Sequence, residues 1–416
     1  MAAEDNEKSK DNGNDLLQIK AENLKQKIDK GEDVFILDVR TPEEHKAWNI
    51  SYGKYKDSSL IAIDDLSSSG ALTHIPRDKE IVTFCAHGNR SMSAAKMLSQ
   101  LGYNAKSIKG GLDSWNDVYD AATIFPIDNT NSSPSIRIWQ LRRVSKGCMT
   151  YVVSSTSKED NDGSSRNATV IDPTCGIIES IIRIAKENDL RITKVIDTHM
   201  HADHVSGATR LAKATGDGGV YVSSIEGYEI DYRNNNNNNG LTTINQIRNG
   251  DRIALSNEIY LDAIHTPGHT KGSMSFRLTH NDNTNDNYLF TGDLLFVDGI
   301  GRPDLHDKAE EFTDSLFKTY HQKLFSLPDE TIILPTHYSG SFEHEKPVFA
   351  TIGSIRKKVK ILSASQDEFT KFIMNNIPAQ PMNYKKIIDI NKSMIPCDSI
   401  KVSDLEAGPN SCGITG

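Results

Sequence analysis

Nowhere in the 416 residues do apolar side chains continue for the ~20 positions that a membrane-crossing helix needs, so no membrane partner is expected. Excess positive charge is also missing: 47 Lys and Arg stand against 56 Asp and Glu, a net charge of −9. No basic block supplies the footprint that a phosphate backbone requires, which argues against a nucleic-acid partner. Cysteine is scarce, and the five residues at 85, 148, 175, 397 and 412 are odd in number and widely spaced. That usage fits reduced thiols rather than a disulfide framework. Residues 1–14 lack the apolar segment of a secretory signal and read as a disordered polar tail, which makes the cytoplasm the simplest location. No internal repeat is present. What remains is the composition of a soluble globular protein, 37% hydrophobic and 25% charged, too long for one average core.

Strand and helix patterns alternate over residues 15–122. Residues 19–30 are amphipathic and helical, 34–38, 81–84 and 105–108 are apolar strands, and 91–101 form a helix. Such alternation implies a parallel sheet with helices on its faces. Residues 123–135 read as a linker. Short strands follow at 136–141, 150–154 and 168–171, then a helix at 177–188. The Asn-rich runs at 234–239 and 281–287 are loop insertions, because they have nothing to bury. A second domain is expected over 136–345, with C-terminal helices and an irregular tail without assigned role over 346–416.

Two stretches carry chemistry. The first is Cys85-Ala-His-Gly-Asn-Arg90-Ser91, set between an apolar strand and a helix. A loop there turns successive N–H groups inward, favouring a thiolate nucleophile at Cys85 and an anionic bound group that Arg90 would neutralise. The second is 194–207, where a β-branched strand runs into Thr198-His199-Met-His201-Ala-Asp203-His204. A helix is expected to open near Asp203, placing four metal-competent side chains in one strand-to-helix corner. His265-Thr-Pro-Gly-His269, Thr291-Gly-Asp293 and Pro335-Thr-His337-Tyr338 each follow a further apolar, β-branched run. Four strand ends would thus deliver ligands to one edge of a sheet sandwich. His265 reads as a structural neighbour, Asp172 as fixing a turn near the site, and Cys148, Cys175 and Cys397 as packing thiols.

The Cys85 loop, with Leu-Asp38-Val-Arg40-Thr-Pro-Glu-Glu-His before it and Lys109-Gly-Gly-Leu-Asp-Ser-Trp115 after it, resembles the single-domain rhodanese sulfurtransferases. The ligand segments resemble the metallo-β-lactamase fold superfamily over residues 136–345. The resemblances imply an N-terminal α/β rhodanese-like domain and a C-terminal αββα sandwich flanked by helices. Two activities are compatible with the second. A persulfide dioxygenase would hold one Fe(II) by His199, His269 and Asp293, leaving His201, Asp203, His204 and His337 as supporting groups. A glyoxalase-II-type thioester hydrolase would hold two Zn(II), the first through His199, His201, His269 and Asp293, the second through Asp203, His204 and His337 with Asp293 shared.

Gly299-Ile-Gly-Arg302-Pro-Asp304, Tyr338 and the fused rhodanese domain favour the dioxygenase, while Lys271 departs from the pattern expected beside His269. The implied reaction oxidises a thiol persulfide such as glutathione persulfide with dioxygen, giving sulfite and thiol. Tyr338 and Arg302 would steady the substrate, and Cys85 would donate or accept sulfane sulfur. A third reading, a non-catalytic sulfur carrier or sensor, relies on Cys85 alone, and a homo-oligomer stays open.

Overall fold

The computed structural model describes residues 15–124, 136–155, 166–216, 218–230, 243–280, 288–303, 308–408 and 411–415. The polar tail, most of the linker, both Asn-rich runs and Asp304 lie outside these residues. The chain divides into two compact units, Met1–Val118 and Tyr119–Gly416.

In the first unit β1 (Gln18–Ile19), β2 (Val34–Asp38), β3 (Ser59–Leu60), β4 (Glu80–Phe84) and β5 (Ala105–Ile108) form a parallel sheet in the order β1-β5-β4-β2-β3. The apolar runs read from the sequence are its central strands. Leu37, Ile81 and Ala105 pack against Ala94, Ala95 and Leu98 of the helix Asn89–Gln100. Burying strands on both faces is what makes such runs nearly continuous in hydrophobicity.

The second unit holds two sheets. In one, β6 (Tyr119–Ile124), β7 (Ile136–Arg143), β8 (Met149–Ser155) and β9 (Arg166–Ile171) pair antiparallel. Then β10 (Leu190–Ile196), β11 (Gly219–Ser223) and β12 (Ile244–Ile247) continue parallel from β9. The other sheet runs β13 (Arg252–Ala254), β14 (Ile259–His265), β15 (Met274–His280), β16 (Tyr288–Gly292), β18 (Ile332–Pro335), β19 (Ala350–Thr351). Two further strands, β17 (Gly299–Gly301) and β20 (Gly413–Thr415), pair with each other.

The sheets touch where Tyr151 and Phe290 meet edge to face at 5.1 Å. Helix Ile178–Glu187 buries Ile178, Ile181, Ile184 and Ala185 on the first sheet, a helical spacing of apolar residues. Helices Ala309–Gln322 and Gln366–Asn376 cover the second through Leu316, Tyr320, Phe369 and Ile373.

Three expectations are corrected. The second unit starts at Tyr119, because β6 pairs with β7 along its full length; residues 119–124 belong to this sheet, not to the preceding domain and linker. The C-terminal segment is not without role: helix Tyr384–Lys392 buries Ile387 beside Cys397 and Leu405 in the core of the first sheet. Cys175 and Cys397 are not separate packing thiols but a disulfide spanning 222 residues, with Cα atoms 6.2 Å apart. Wide spacing along the chain concealed a pair that the fold brings together.

Unfolding the oxidised protein without reductant should therefore expose three titratable thiols, those of Cys85, Cys148 and Cys412, and five after reduction. Five thiols before reduction would show that the bridge does not form. Cys397→Ser should lower stability by about 2–4 kcal/mol, read from denaturant midpoints.

Candidate metal centre

β10 ends at Ile196, but no helix opens at Asp203; residues 197–207 are a loop, and helix Ala208–Thr215 begins later. Its peptide groups are taken by distant side chains. Asn391 Nδ2 donates to the carbonyls of His201 and His204, both at 2.9 Å, and its Oδ1 accepts from Ser206 N–H. Glu406 accepts from Val205 N–H at 2.7 Å, and Lys146 Nζ donates to Asp203 O at 2.6 Å. Those partners outcompete helix formation, since a buried peptide group must be paired somewhere.

Asp172, at a positive φ of 51°, anchors the start of the loop. Its carboxylate accepts from Thr198 N–H, Thr198 Oγ1 and Thr336 Oγ1 at 2.7–2.9 Å and lies 3.1 Å from His201 Nε2. Burial pushes this carboxyl upward, but the bond and charge of His201 and the Thr198 N–H outweigh it and hold the group ionised. The expected turn-fixing role of Asp172 thus extends to orienting His201.

Among the described residues four buried donor groups result, one of them Asp293, His337 and Cys412. His199, His269 and Asp293 converge, with Asp293 Oδ2 at 3.7 Å from His199 Nε2 and 3.6 Å from His269 Nε2. Cys148, Asp203, His204 and His337 form the second group, and Asp172, Asp197 and His201 the third. His201 is therefore in the Asp172 cluster, although its ring lies 4.2 Å from that of His199.

Tautomers follow from the supporting bonds. Thr198 Oγ1 gives its proton to Asp172 and takes one from His199 Nδ1; His269 Nδ1 donates to Arg302 O at 2.8 Å. Both rings then present a bare Nε2. Burial, with neighbouring imidazoles, keeps His199 well below the usual histidine range; burial chiefly lowers His269. For Asp293, burial raises the carboxyl but the charge of His337 lowers it further. Neutral imidazoles and an ionised carboxylate are the states a metal requires. The Nε2 atoms of His199 and His204 and the Oδ2 atom of Asp293 are buried without a hydrogen-bond partner. Leaving three such atoms unpaired costs about 1–3 kcal/mol each, so the residues fit a bound cation.

Arg302 is not placed to meet a substrate anion. It is fully buried, and its guanidinium donates to the carbonyls of Pro378, Ala379 and Ser411 at 2.8–3.0 Å, while its N–H reaches Cys412 O. It braces the C-terminal segment. Tyr338 is partly buried against Phe342 and lines a surface cleft of about 350 Å³ with Val297 and Phe349. His265 binds Asn249 and Lys271 O through its own N–H and ring, a structural placement. Cys148, Cys412, Asn391 and Glu406 had no motif to mark them. Cys412 lies with Asp293 and His337 rather than in a free tail, because β20 pairs with β17.

In the first unit, N–H groups of Gly88 and Ser91 point at Cys85 Sγ from 3.2 and 3.4 Å. The flanking motifs hold this loop. Asp38 receives Arg40 through both Nε and Nη2, and His45 Nδ1 lies 3.0 Å away. Gly111 lets the following turn approach, since a Cβ there would lie 2.3 Å from Cys85 O. Arg90 is gripped by Glu44 through two bonds of 2.6 and 2.8 Å. Its charge is thus already paired, and its bonds bring Glu44 down to about 2.

A parallel α/β unit with a cysteine cradle and a sandwich unit with strand-end metal donors define the class: a two-domain metalloprotein equipped for sulfur chemistry. Residues 20–117 match the model of the rhodanese-like domain and residues 163–337 that of the metallo-beta-lactamase superfamily. The human protein named persulfide dioxygenase ETHE1, mitochondrial, is 30% identical over 218 residues, 52% of this chain and 75% of its own length. The cytoplasmic hydroxyacylglutathione hydrolase of Arabidopsis thaliana is 32% identical over 42% of this chain and 60% of its own. Among solved structures, a metallo-beta-lactamase from Staphylococcus aureus superposes with a TM-score of 0.52 at 28% identity, covering 62% of this chain and 73% of that one. The chain belongs to the metallo-β-lactamase superfamily and carries a rhodanese-like domain ahead of it. Among the described residues no helix is long and apolar enough to cross a membrane.

Asn391→Ala should leave the two carbonyls and one N–H of the ligand loop unpaired, lowering stability by about 1–3 kcal/mol and speeding metal loss to a chelator. Metal retention equal to that of the unaltered protein would contradict this clasp. Glu44→Gln has a pH signature. The carboxyl is depressed from 4.5 to about 2, so its contribution is present above 4.5 and lost as pH falls toward 2. Denaturant midpoints should therefore differ at pH 7, by less than about 1 kcal/mol given the exposure of the pair, and converge only as pH falls to about 2.

Proposed function

We propose that the second unit is an iron-dependent persulfide dioxygenase, with Fe(II) held by His199, His269 and Asp293. The observation that carries this reading is the buried donor set of two imidazoles, each held through Nδ1 by Thr198 Oγ1 or Arg302 O, and one carboxylate. Two His and one carboxylate is the facial set of non-haem Fe(II) oxygenases, which leaves positions open for two reactants. The match to a protein named for persulfide oxidation, over three quarters of its length, supports the same choice. So does a sulfur-handling domain in the same chain.

The overall change converts a thiol persulfide, probed as glutathione persulfide, with dioxygen and water into thiol, sulfite and two protons. Bound iron would supply a shared binding point for sulfur and oxygen and the redox couple between them. The protein's own part is positional. Arg302 O and Thr198 Oγ1 fix the His269 and His199 rings, and the His337 Nδ1–H bond of 2.6 Å to Asp293 Oδ1 would leave Oδ2 to hold the ion. Burial of all three ligands excludes bulk water and keeps the reactants oriented. Tyr338, at the edge of the nearby cleft, is the residue proposed to steady the organic part of the substrate, a role that its partial exposure permits and that Arg302 lacks.

Cys85 is proposed to carry sulfane sulfur as a persulfide in the first unit. There the N–H groups of Gly88 and Ser91 stabilise the anion, and the Arg90–Glu44 pair supports the loop. Sulfur moves between Cys85 and a low-molecular-weight thiol, in a direction set by their relative supply. The proposed setting is cytoplasmic.

Protein reconstituted with Fe(II) should consume dioxygen with glutathione persulfide and release sulfite. His269→Ala should reduce iron retention and oxygen uptake more than about a hundredfold, beyond the effect of losing a supporting bond. Two bound zinc ions, hydrolysis of a glutathione thioester and no oxygen uptake would establish the hydrolase reading instead. Cys85→Ser should abolish transfer of sulfur from thiosulfate to a thiol.

A further inference from the structure

The contacts of the Cys85 loop serve the sulfur and the loop itself. Its N–H groups point at Sγ, and Arg90 is occupied by Glu44 through bonds of 2.6 and 2.8 Å. Selection of the thiol that takes sulfur away falls to other residues. We infer that Lys20 and Lys109, at the same edge of the sheet, form the recognition site for an acceptor thiol with two carboxylates and one ammonium group, the charge pattern of glutathione.

Strand register puts these residues in one row. Thr83 of β4 pairs with Ser107 of β5, and Ser107 pairs with Gln18 of β1. Two residues further along each strand come Cys85, Lys109 and Lys20. All three leave the carboxyl ends of adjacent parallel strands, the edge at which open α/β sheets place their ligands. The row is held beyond the strand ends, because Lys109 N–H donates to Ile19 O at 2.9 Å. The turn after Lys109 closes on the cysteine loop, with Leu112 N–H on Cys85 O at 2.9 Å and Asp113 N–H on Ala86 O at 3.2 Å. Neighbouring strands lie about 4.8 Å apart, so Lys20 is displaced from Cys85 by two spacings, roughly 10 Å. A tripeptide thiol spans that length.

The site is concave. A cleft of about 390 Å³ along the β1 edge is lined by Asp15, Lys20, Asn23, Lys27, Lys106 and Lys109. Its size falls within the roughly 300–1,000 Å³ of small-molecule sites. The four ammonium groups are not equivalent. Lys27 binds Glu32 and Glu80 at 2.7 and 2.9 Å, and Lys106 binds Glu80 at 2.9 Å, so these two are neutralised within the fold. Among the described residues neither Lys20 nor Lys109 has an ion pair, although the strand register makes them neighbours. Like charges side by side repel, and two ligand carboxylates would remove that repulsion. Asp15 is the acid of the lining and a partner for the ligand's ammonium group. No aromatic side chain lines the cleft, so a nucleobase would find no stacking surface, which disfavours a nucleotide-bearing thiol.

The transfer is an exchange of sulfur bonds. The glutathione thiolate attacks the outer sulfur of the Cys85 persulfide. A new S–S bond forms as the bond to Cys85 Sγ breaks, and Cys85 leaves as the thiolate. One persulfide and one thiolate stand on each side of the exchange, so no oxidant is consumed. The lysines hold the far end of the acceptor and take no part in the bond changes.

The assignment presupposes the proposed sulfur transfer at Cys85 and names its acceptor. Full-length protein is given thiosulfate as donor, with either glutathione or glutathione dimethyl ester, whose carboxylates are masked, as acceptor. The unaltered protein should favour glutathione at least about fivefold in kcat/KM, through a lower KM. Added salt should shrink the preference, because both lysines are exposed. Lys20→Met with Lys109→Met should bring the ratio to about one. Lys20→Arg with Lys109→Arg should keep it, which separates lost charge from a failure to fold. A ratio near one in the unaltered protein, or a preference that survives the paired Met substitutions, overturns the assignment. S-methylglutathione, titrated calorimetrically into the unaltered protein and the Met pair, distinguishes the site from the transfer. Binding that the Met pair weakens, without sulfur transfer to any thiol, supports the site and ends the proposed role of Cys85. Identical isotherms in the two proteins overturn the site.

Discussion

A loop that leaves its sheet and stays buried must find partners for its peptide groups, and the rest of the second unit is arranged to supply them. Residues 197–207 carry four of the metal donors or their neighbours, yet form no regular structure. Asp172 holds the beginning, Lys146 and Glu406 the middle, and Asn391 the carbonyls on either side of Asp203. Each unpaired buried group would cost about 1–3 kcal/mol, so the loop is rigid only while these remote segments are docked. Helix Tyr384–Lys392 and the Cys175–Cys397 bridge keep the last of those segments in place.

The same constraint governs charge. Four carboxylates and five imidazoles of the donor groups are almost wholly buried, an arrangement that burial alone would drive toward neutrality. Pairing decides otherwise. The carboxylates of Asp203 and Asp293 drive His337 well above its usual range against burial, and Asp203 raises His204 to about 10. Asp197, with one oxygen unpartnered, is instead pushed up to about 6 by burial. Cations at the donor sets would take over from these protons, which links metal uptake to proton release.

The first unit solves a smaller version of this problem. Cys85 Sγ is met by N–H groups of its own loop, and the surrounding motif residues serve the loop's shape. Arg40 closes on Asp38, Gly111 admits the next turn, and Arg90 pairs with Glu44. That explains why a run such as Leu-Asp-Val-Arg-Thr-Pro-Glu-Glu-His could be recognised in the sequence: its members bond one another locally. Arg302 shows the reverse. The short motif around it was legible, but its guanidinium turned out to serve carbonyls 76 to 109 residues away.

The sequence by itself marked the two folds, the Cys85 loop and the strand-end segments from which His199, His269 and Asp293 converge. These depend on local pattern: apolar runs that become strands, and donors placed directly after them. Only the tertiary structure decided that Asp203 and His204 sit in a loop, that Cys175 meets Cys397, and that Arg302 braces the tail. Likewise, only the fold set Cys148 opposite His337 and brought Asn391 and Cys412 to the centre. Those outcomes pair groups from 55 to more than 200 residues apart. Such contacts form because buried polar groups must be satisfied by whichever element the fold brings near, and no spacing along the chain records which one that will be.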